Sequence, residues 1–183
     1  MKKILTLILA IMLLALTPAF ADEAAQIPSV DLGTIEMNYE PTWVAFENGM
    51  QIALPSDWAK LDVSDEVAAT GVFYLAQNPD ATIAMSLAYV NVGVYDLKTL
   101  STLLAMTYPE LGIVTVNGVD MIAYDESDGS YSMLITADNL GGMYMMAVAP
   151  VVEDEALTMT ALSMMSSLGP VDAAAEATEA PAN

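Results

Sequence analysis

The side chains best placed to do chemistry are the acids of Asp125-Glu126-Ser127-Asp128-Gly129-Ser130. Oxygen ligands at such short spacing suit a hard divalent cation, calcium above all. Asp125, Glu126 and Asp128 are therefore the candidate metal ligands. The pattern lacks the alternating acids closed by a distant glutamate that mark an EF-hand loop. A solvated hairpin turn explains the same residues, because Asp-Gly supplies the backbone angles a tight turn requires.

Two other groups invite a functional reading. Met143, Met145, Met146, Met159, Met164 and Met165 are clustered thioethers, of the kind that bind copper(I). They fall at strand or helix spacing, however, which is the pattern of core filler. Trp43 and Trp58, with Tyr39, are the candidate partner surface, an aromatic platform for a peptide or sugar. The competing reading packs each tryptophan over a sheet edge with its N–H bonded to backbone.

What is missing narrows the chemistry further. The chain has no histidine, cysteine or arginine, and beyond Lys2 and Lys3 only Lys60 and Lys98 stand against 24 acidic residues. The usual nucleophiles, bases, oxyanion clamps and transition-metal ligands are absent. No Asp-Ser-Gly, Asp-Thr-Gly or Ser-x-x-Lys signature occurs. Ser56 and Lys60 are neighbours on a stretch that Pro55 and Trp58 already explain as a turn. The chain reads as non-catalytic, with no cofactor expected.

Residues 1–21 read as a secretory signal peptide: Lys2-Lys3, an apolar run from Ile4 to Leu16, then Ala19-Phe20-Ala21 as the cleavage site. The run is shorter than the roughly 20 residues that span a bilayer. No second such run follows, so the mature protein is expected to be soluble and exported, in the periplasm or the medium. Losing two lysines with the signal leaves two against 24 acids, a charge of −22. That disfavours nucleic acid and anionic membranes, and favours cations or a basic protein partner.

The elements that must position these residues follow from pattern. Residues 22–40 read as an N-terminal arm or linker, 41–169 as one domain, and 170–183 as a disordered Ala/Glu/Pro tail. Strands are expected at 43–46 and 50–54 around Asn48-Gly49, then at 72–77 and 82–92. A helix capped by Asp96 covers 97–107; strands at 113–116, 119–124, 131–137 and 143–149 form a meander. A last helix spans 153–168, stopped by Gly169 and Pro170. Both alternating sets of 143–149 are apolar, so both faces of that strand should be covered. The expected fold is α+β, a three-layer α/β/α sandwich around an antiparallel sheet.

This order of elements, with Phe46-x-x-Gly49-x-x-x-x-Leu54-Pro55-x-x-Trp58, resembles the PsbP-like domain family over roughly residues 41–168. The resemblance implies a binding or assembly role. Its members include lumenal extrinsic subunits of photosystem II, a nuclear import factor that binds a small GTPase, and exported bacterial proteins. The family shares no catalytic residues, so none is carried over. Lacking histidine and nearly all lysine, this chain departs from the photosynthetic members and is nearer a plain exported bacterial relative.

Overall fold

A computed structural model of the protein describes residues 27–171 apart from 92, 94, 95 and 139–141. The expected signal peptide and nearly all of the expected tail lie outside the described residues. The strands are β1 (Ser29–Asp31), β2 (Pro41–Ala45), β3 (Met50–Pro55), β4 (Ala59–Leu61), β5 (Val72–Gln77), β6 (Ala84–Asn91), β7 (Gly112–Val116), β8 (Val119–Asp125), β9 (Ser132–Ala137), β10 (Gly142–Ala149) and β11 (Gly169–Pro170). The helices are α1 (Asp65–Ala68), α2 (Leu97–Ala105) and α3 (Glu155–Ser166). The protein is a mixed α+β structure dominated by sheet.

Short polar side chains start the helices. The Asp96 carboxylate accepts the Thr99 N–H at 2.8 Å, and Asp154 accepts those of Ala156 and Leu157 at 2.8 and 3.3 Å. Each cap satisfies amides that the helix itself leaves unpaired, worth about 1 kcal/mol. Asp154 thus stands before α3 rather than in its first turn, and the helix begins two residues later than expected.

The main sheet runs β1-β7-β8-β9-β10-β6-β5-β4, and a second sheet runs β11-β3-β2. Strand β10 lies at the centre of the main sheet, with β6 and β9 on either side. Its two apolar faces meet two separate cores. Tyr144, Met146 and Val148 join the larger core, with Ala161, Leu162, Met164 and Met165 of α3 and Ile52 and Leu54 of β3. Met143 and Met145 lie on the opposite face with Ile122 and Ile135, where Leu97, Leu100 and Leu104 of α2 pack.

Two features differ from the expected sandwich. First, the sheet is mixed: β1 pairs parallel to β7, with Val30 opposite Val114, so part of the segment expected as an arm lies in the sheet. Second, the cover opposite α2 is not a helix alone. The β2–β3 hairpin leaves the main sheet and, with β11, lies beside α3. The turn at Pro55–Trp58 separates β3 from β4, and Gln51 to Pro55 are all buried, which requires packing on both sides of β3.

Candidate functional site

The acidic segment forms the tight turn between β8 and β9. Gly129, at φ +74°, donates its N–H to the Glu126 carbonyl at 2.8 Å. Asp125 accepts the Ser132 hydroxyl at 2.6 Å, Glu126 accepts the Tyr131 hydroxyl at 3.1 Å, and Asp128 accepts the Ser130 N–H at 2.8 Å. The Ser130 donors hold the Asp128 carboxyl below its ordinary range. Each acid therefore turns to a neighbour in its own hairpin. Among the described residues no three acids gather into a cation site.

The methionines divide between the two cores. Met146, Met164 and Met165 are fully buried on one face of the sheet, with Met159 packed against them, and Met143 and Met145 are on the other. The aromatic trio separates too. Tyr39 and Trp58 pack against the larger core, and the Tyr39 hydroxyl donates to the Ala53 carbonyl at 3.0 Å. Trp43 alone stands out, 45% exposed on β2.

A cleft of about 710 Å³ opens between the tip of the β2–β3 hairpin and strands β4 to β6. That lies within the range of roughly 300–1,000 Å³ typical of ligand pockets. Phe46, Glu47 and Asn48 form one wall; Lys60, Phe73 and Tyr89 line the others. Gly49, at φ +79°, closes the hairpin turn, and the Asn48 carboxamide oxygen accepts the Met50 N–H at 3.1 Å. The other end of that carboxamide donates to the Tyr144 hydroxyl at 3.0 Å, tying the tip to β10.

The rings beneath form a connected array. Phe46 meets Phe73 edge to face at 4.9 Å and Tyr74 at 5.5 Å; Phe73 meets Tyr144 at 6.5 Å, and Tyr144 meets Tyr89 at 4.9 Å. The first three contacts set ring edge against ring face and the last is tilted, and together they fix the wall's shape. The Tyr89 hydroxyl donates to Asp138 at 2.9 Å, which pushes its pKa up; burial does the same for Tyr74 and Tyr144. The Lys60 ammonium lies 5.7 Å from the centre of the Tyr74 ring.

Gly71 permits this wall to form. At φ +92° it receives the Tyr89 N–H at 3.1 Å, beside an irregularity in the β5–β6 register between Val72 and Tyr74. A Cβ there would stand 2.9 Å from the Tyr89 carbonyl oxygen. The lining includes no histidine, cysteine, serine or paired carboxylates, and its one ammonium is solvent-exposed. The arrangement offers apolar surface, ring faces and one charge of each sign, the composition of a ligand-binding cleft. Sequence reasoning overlooked the cleft, whose only local signal is Asn48-Gly49 at the hairpin tip.

No family model and no curated protein matches the chain. Among solved structures, one from Bacteroides thetaiotaomicron VPI-5482 superposes with a TM-score of 0.52 at 15% identity, over 73% of this chain. The chain spans 49% of that protein's length, and the likeness is one of fold. The solution structure of cyanobacterial PsbP (CyanoP) from Synechocystis sp. PCC 6803 has a TM-score of 0.49 at 14% identity, covering 84% of this chain and 99% of that one. Among the described residues no helix is long and apolar enough to cross a membrane.

Proposed function

We propose that the chain is an exported, non-catalytic protein-binding module with a PsbP-like arrangement, and that the cleft beside β2 receives its partner. The single observation that carries this reading is the cleft's lining: a wide aromatic-walled opening without histidine, cysteine, serine or paired carboxylates. The absence of histidine, cysteine and arginine from the whole chain supports it. So does the order of elements around Leu54-Pro55-x-x-Trp58 on which the family resemblance rests. A strongly acidic surface speeds encounter with a basic partner and makes the association weaken with salt.

The test is positional. A photo-activatable side chain is placed at Glu47 on the cleft, or at Asp128 on the β8–β9 turn, and cross-linked in the native host. One recurrent partner from position 47, absent from position 128 and lost at raised salt, is the expected result. Equal capture from both positions, or none from either, overturns the reading.

A further inference from the structure

Among the described residues, the four outer edges of the two sheets are unequal. Strands β1 and β4 have three residues each and β11 has two, whereas β2 has five. Short strands and charged side chains are the usual protection of an edge, and β4 carries Lys60. Strand β2, Pro-Thr-Trp-Val-Ala, has no charge and no bulge.

The direction of its main-chain groups follows from the hairpin register. The Phe46 N–H donates to the Met50 carbonyl at 2.8 Å, and the Ser56 N–H donates to the Glu40 carbonyl at 2.9 Å. In an antiparallel pair the residues that exchange hydrogen bonds alternate with those that do not. Val44 and Thr42 therefore bond to β3, opposite Ile52 and Leu54. Trp43 and Ala45 turn their N–H and C=O groups away from β3, and Pro41 does so with its carbonyl. Proline is tolerated there because its missing N–H would have faced outward. Side chains alternate as well: Val44 and Phe46 point towards the cleft and core, while Trp43 and Ala45 are exposed.

We propose that the free edge of β2 pairs with an extended, basic segment of another protein, which adds a strand across the cleft. This rests on the reading of the cleft as a binding site. Main-chain bonds to Trp43 and Ala45 supply the pairing, and alternate side chains supply specificity. Inward residues of the segment are apolar, because they meet Phe46, Phe73 and the Tyr74 ring, and the Lys60 ammonium repels a cation there. Outward residues are lysine or arginine, because exposed Glu40 and Glu47 bracket β2 and the chain carries 24 acids.

The experiment titrates the isotope-labelled protein with a short peptide alternating lysine and valine, and with its glutamate counterpart. Three results are expected together. The lysine peptide binds at least about tenfold more tightly than the glutamate one. Its binding slows exchange of the Trp43 and Ala45 amides but leaves Val44, already bonded to β3, unchanged. Ala45→Pro, which removes an outward N–H, lowers affinity by about tenfold or more.

Val44→Pro, which breaks a bond to β3, lowers the melting temperature, whereas Ala45→Pro is expected to leave it unchanged, and that contrast shows the hairpin intact. Amide protection in the unsubstituted protein is an independent readout should Ala45→Pro misfold. Binding without protection of Trp43 and Ala45 overturns strand addition. No binding by either peptide, while the Glu47 cross-link still captures a partner, overturns the extended segment and leaves the module reading standing. Concentration-dependent dimerisation abolished by Ala45→Pro makes the occupant a second copy of this chain and overturns the basic segment.

Discussion

The β2–β3 and β8–β9 turns are built almost alike. Each ends on a glycine at positive φ, +79° at Gly49 and +74° at Gly129, whose N–H donates three residues back. In each the preceding Asn48 or Asp128 accepts the N–H two residues ahead. They part at one atom. Asn48 has an amide nitrogen left over and gives it to Tyr144 of β10; Asp128 has no donor to offer. One turn becomes part of a tertiary wall, and the other completes itself. The acidic run bonds within its own hairpin, whereas the Asn48 turn also reaches β10.

The largest test of the contrast is alkaline titration. Burial raises the pKa of Tyr74 and Tyr144 behind the cleft and of Tyr39 in the larger core, and the bond to Asp138 raises that of Tyr89. Near the acidic turn Tyr124 and Tyr131 are raised too, chiefly by burial. The folded protein then holds protons that the unfolded chain releases near pH 10.0. Stability is fully present below that value and falls as pH rises through the folded pKa values. Ultraviolet titration of tyrosinate should show ionisation coinciding with loss of near-ultraviolet circular dichroism; normal, independent titration of these rings would contradict their burial.

Next comes Gly71→Ala against Gly49→Ala. Both positions have positive φ, but only Gly71 would place its new methyl against a carbonyl oxygen; nothing lies within 4 Å of Gly49. About 1–2 kcal/mol is expected at Gly49 from the left-handed backbone alone. A further 1–3 kcal/mol is expected at Gly71 from the forced shift of β5 against β6. Chemical denaturation reads both, and equal losses would mean that the close approach to Tyr89 carries no weight.

The donor that distinguishes the turns is tested by Tyr144→Phe. Losing the Asn48 bond should cost about 0.5–1.5 kcal/mol, and a cycle with Asn48→Ala should show coupling of similar size. Asp128→Asn, which keeps the acceptor of the other turn, should change stability by less than about 0.5 kcal/mol. A larger loss there would make the acidic turn the more demanding of the two.

The smallest expected effect is calcium's. Because Asp125, Glu126 and Asp128 each bond within their hairpin, calcium should move the melting temperature no further than magnesium at matched ionic strength. A calcium-specific rise removed by Asp125→Asn with Asp128→Asn would restore the cation reading of that turn.

What could be read from the sequence was what depends on near neighbours. Asp96 and Asp154 announce their helices, Asn48-Gly49 and Asp128-Gly129 their turns, and the double apolar pattern of β10 its two covered faces. Strands β1, β4 and β11 are too short to show alternation, and exist because a partner strand holds them. Val30 has no local reason to be a strand; its reason is Val114. The cleft was illegible for the same cause. Phe46, Lys60, Phe73 and Tyr89 come from four strands or strand ends, and no window of the sequence contains them together.

The parallel pairing of β1 has a consequence for the protein's durability against proteolysis. Ser29, Val30 and Asp31 cap the outer side of β7, and Ile113 donates to Pro28. A protease that trims the chain past Asp31 would remove few core contacts yet uncover the whole flank of β7. The trimmed form would keep its helices and its cleft, and gain a sticky border along which molecules could stack into aggregates. Shelf life in the presence of proteases would then be decided at β1, far along the sheet from the cleft.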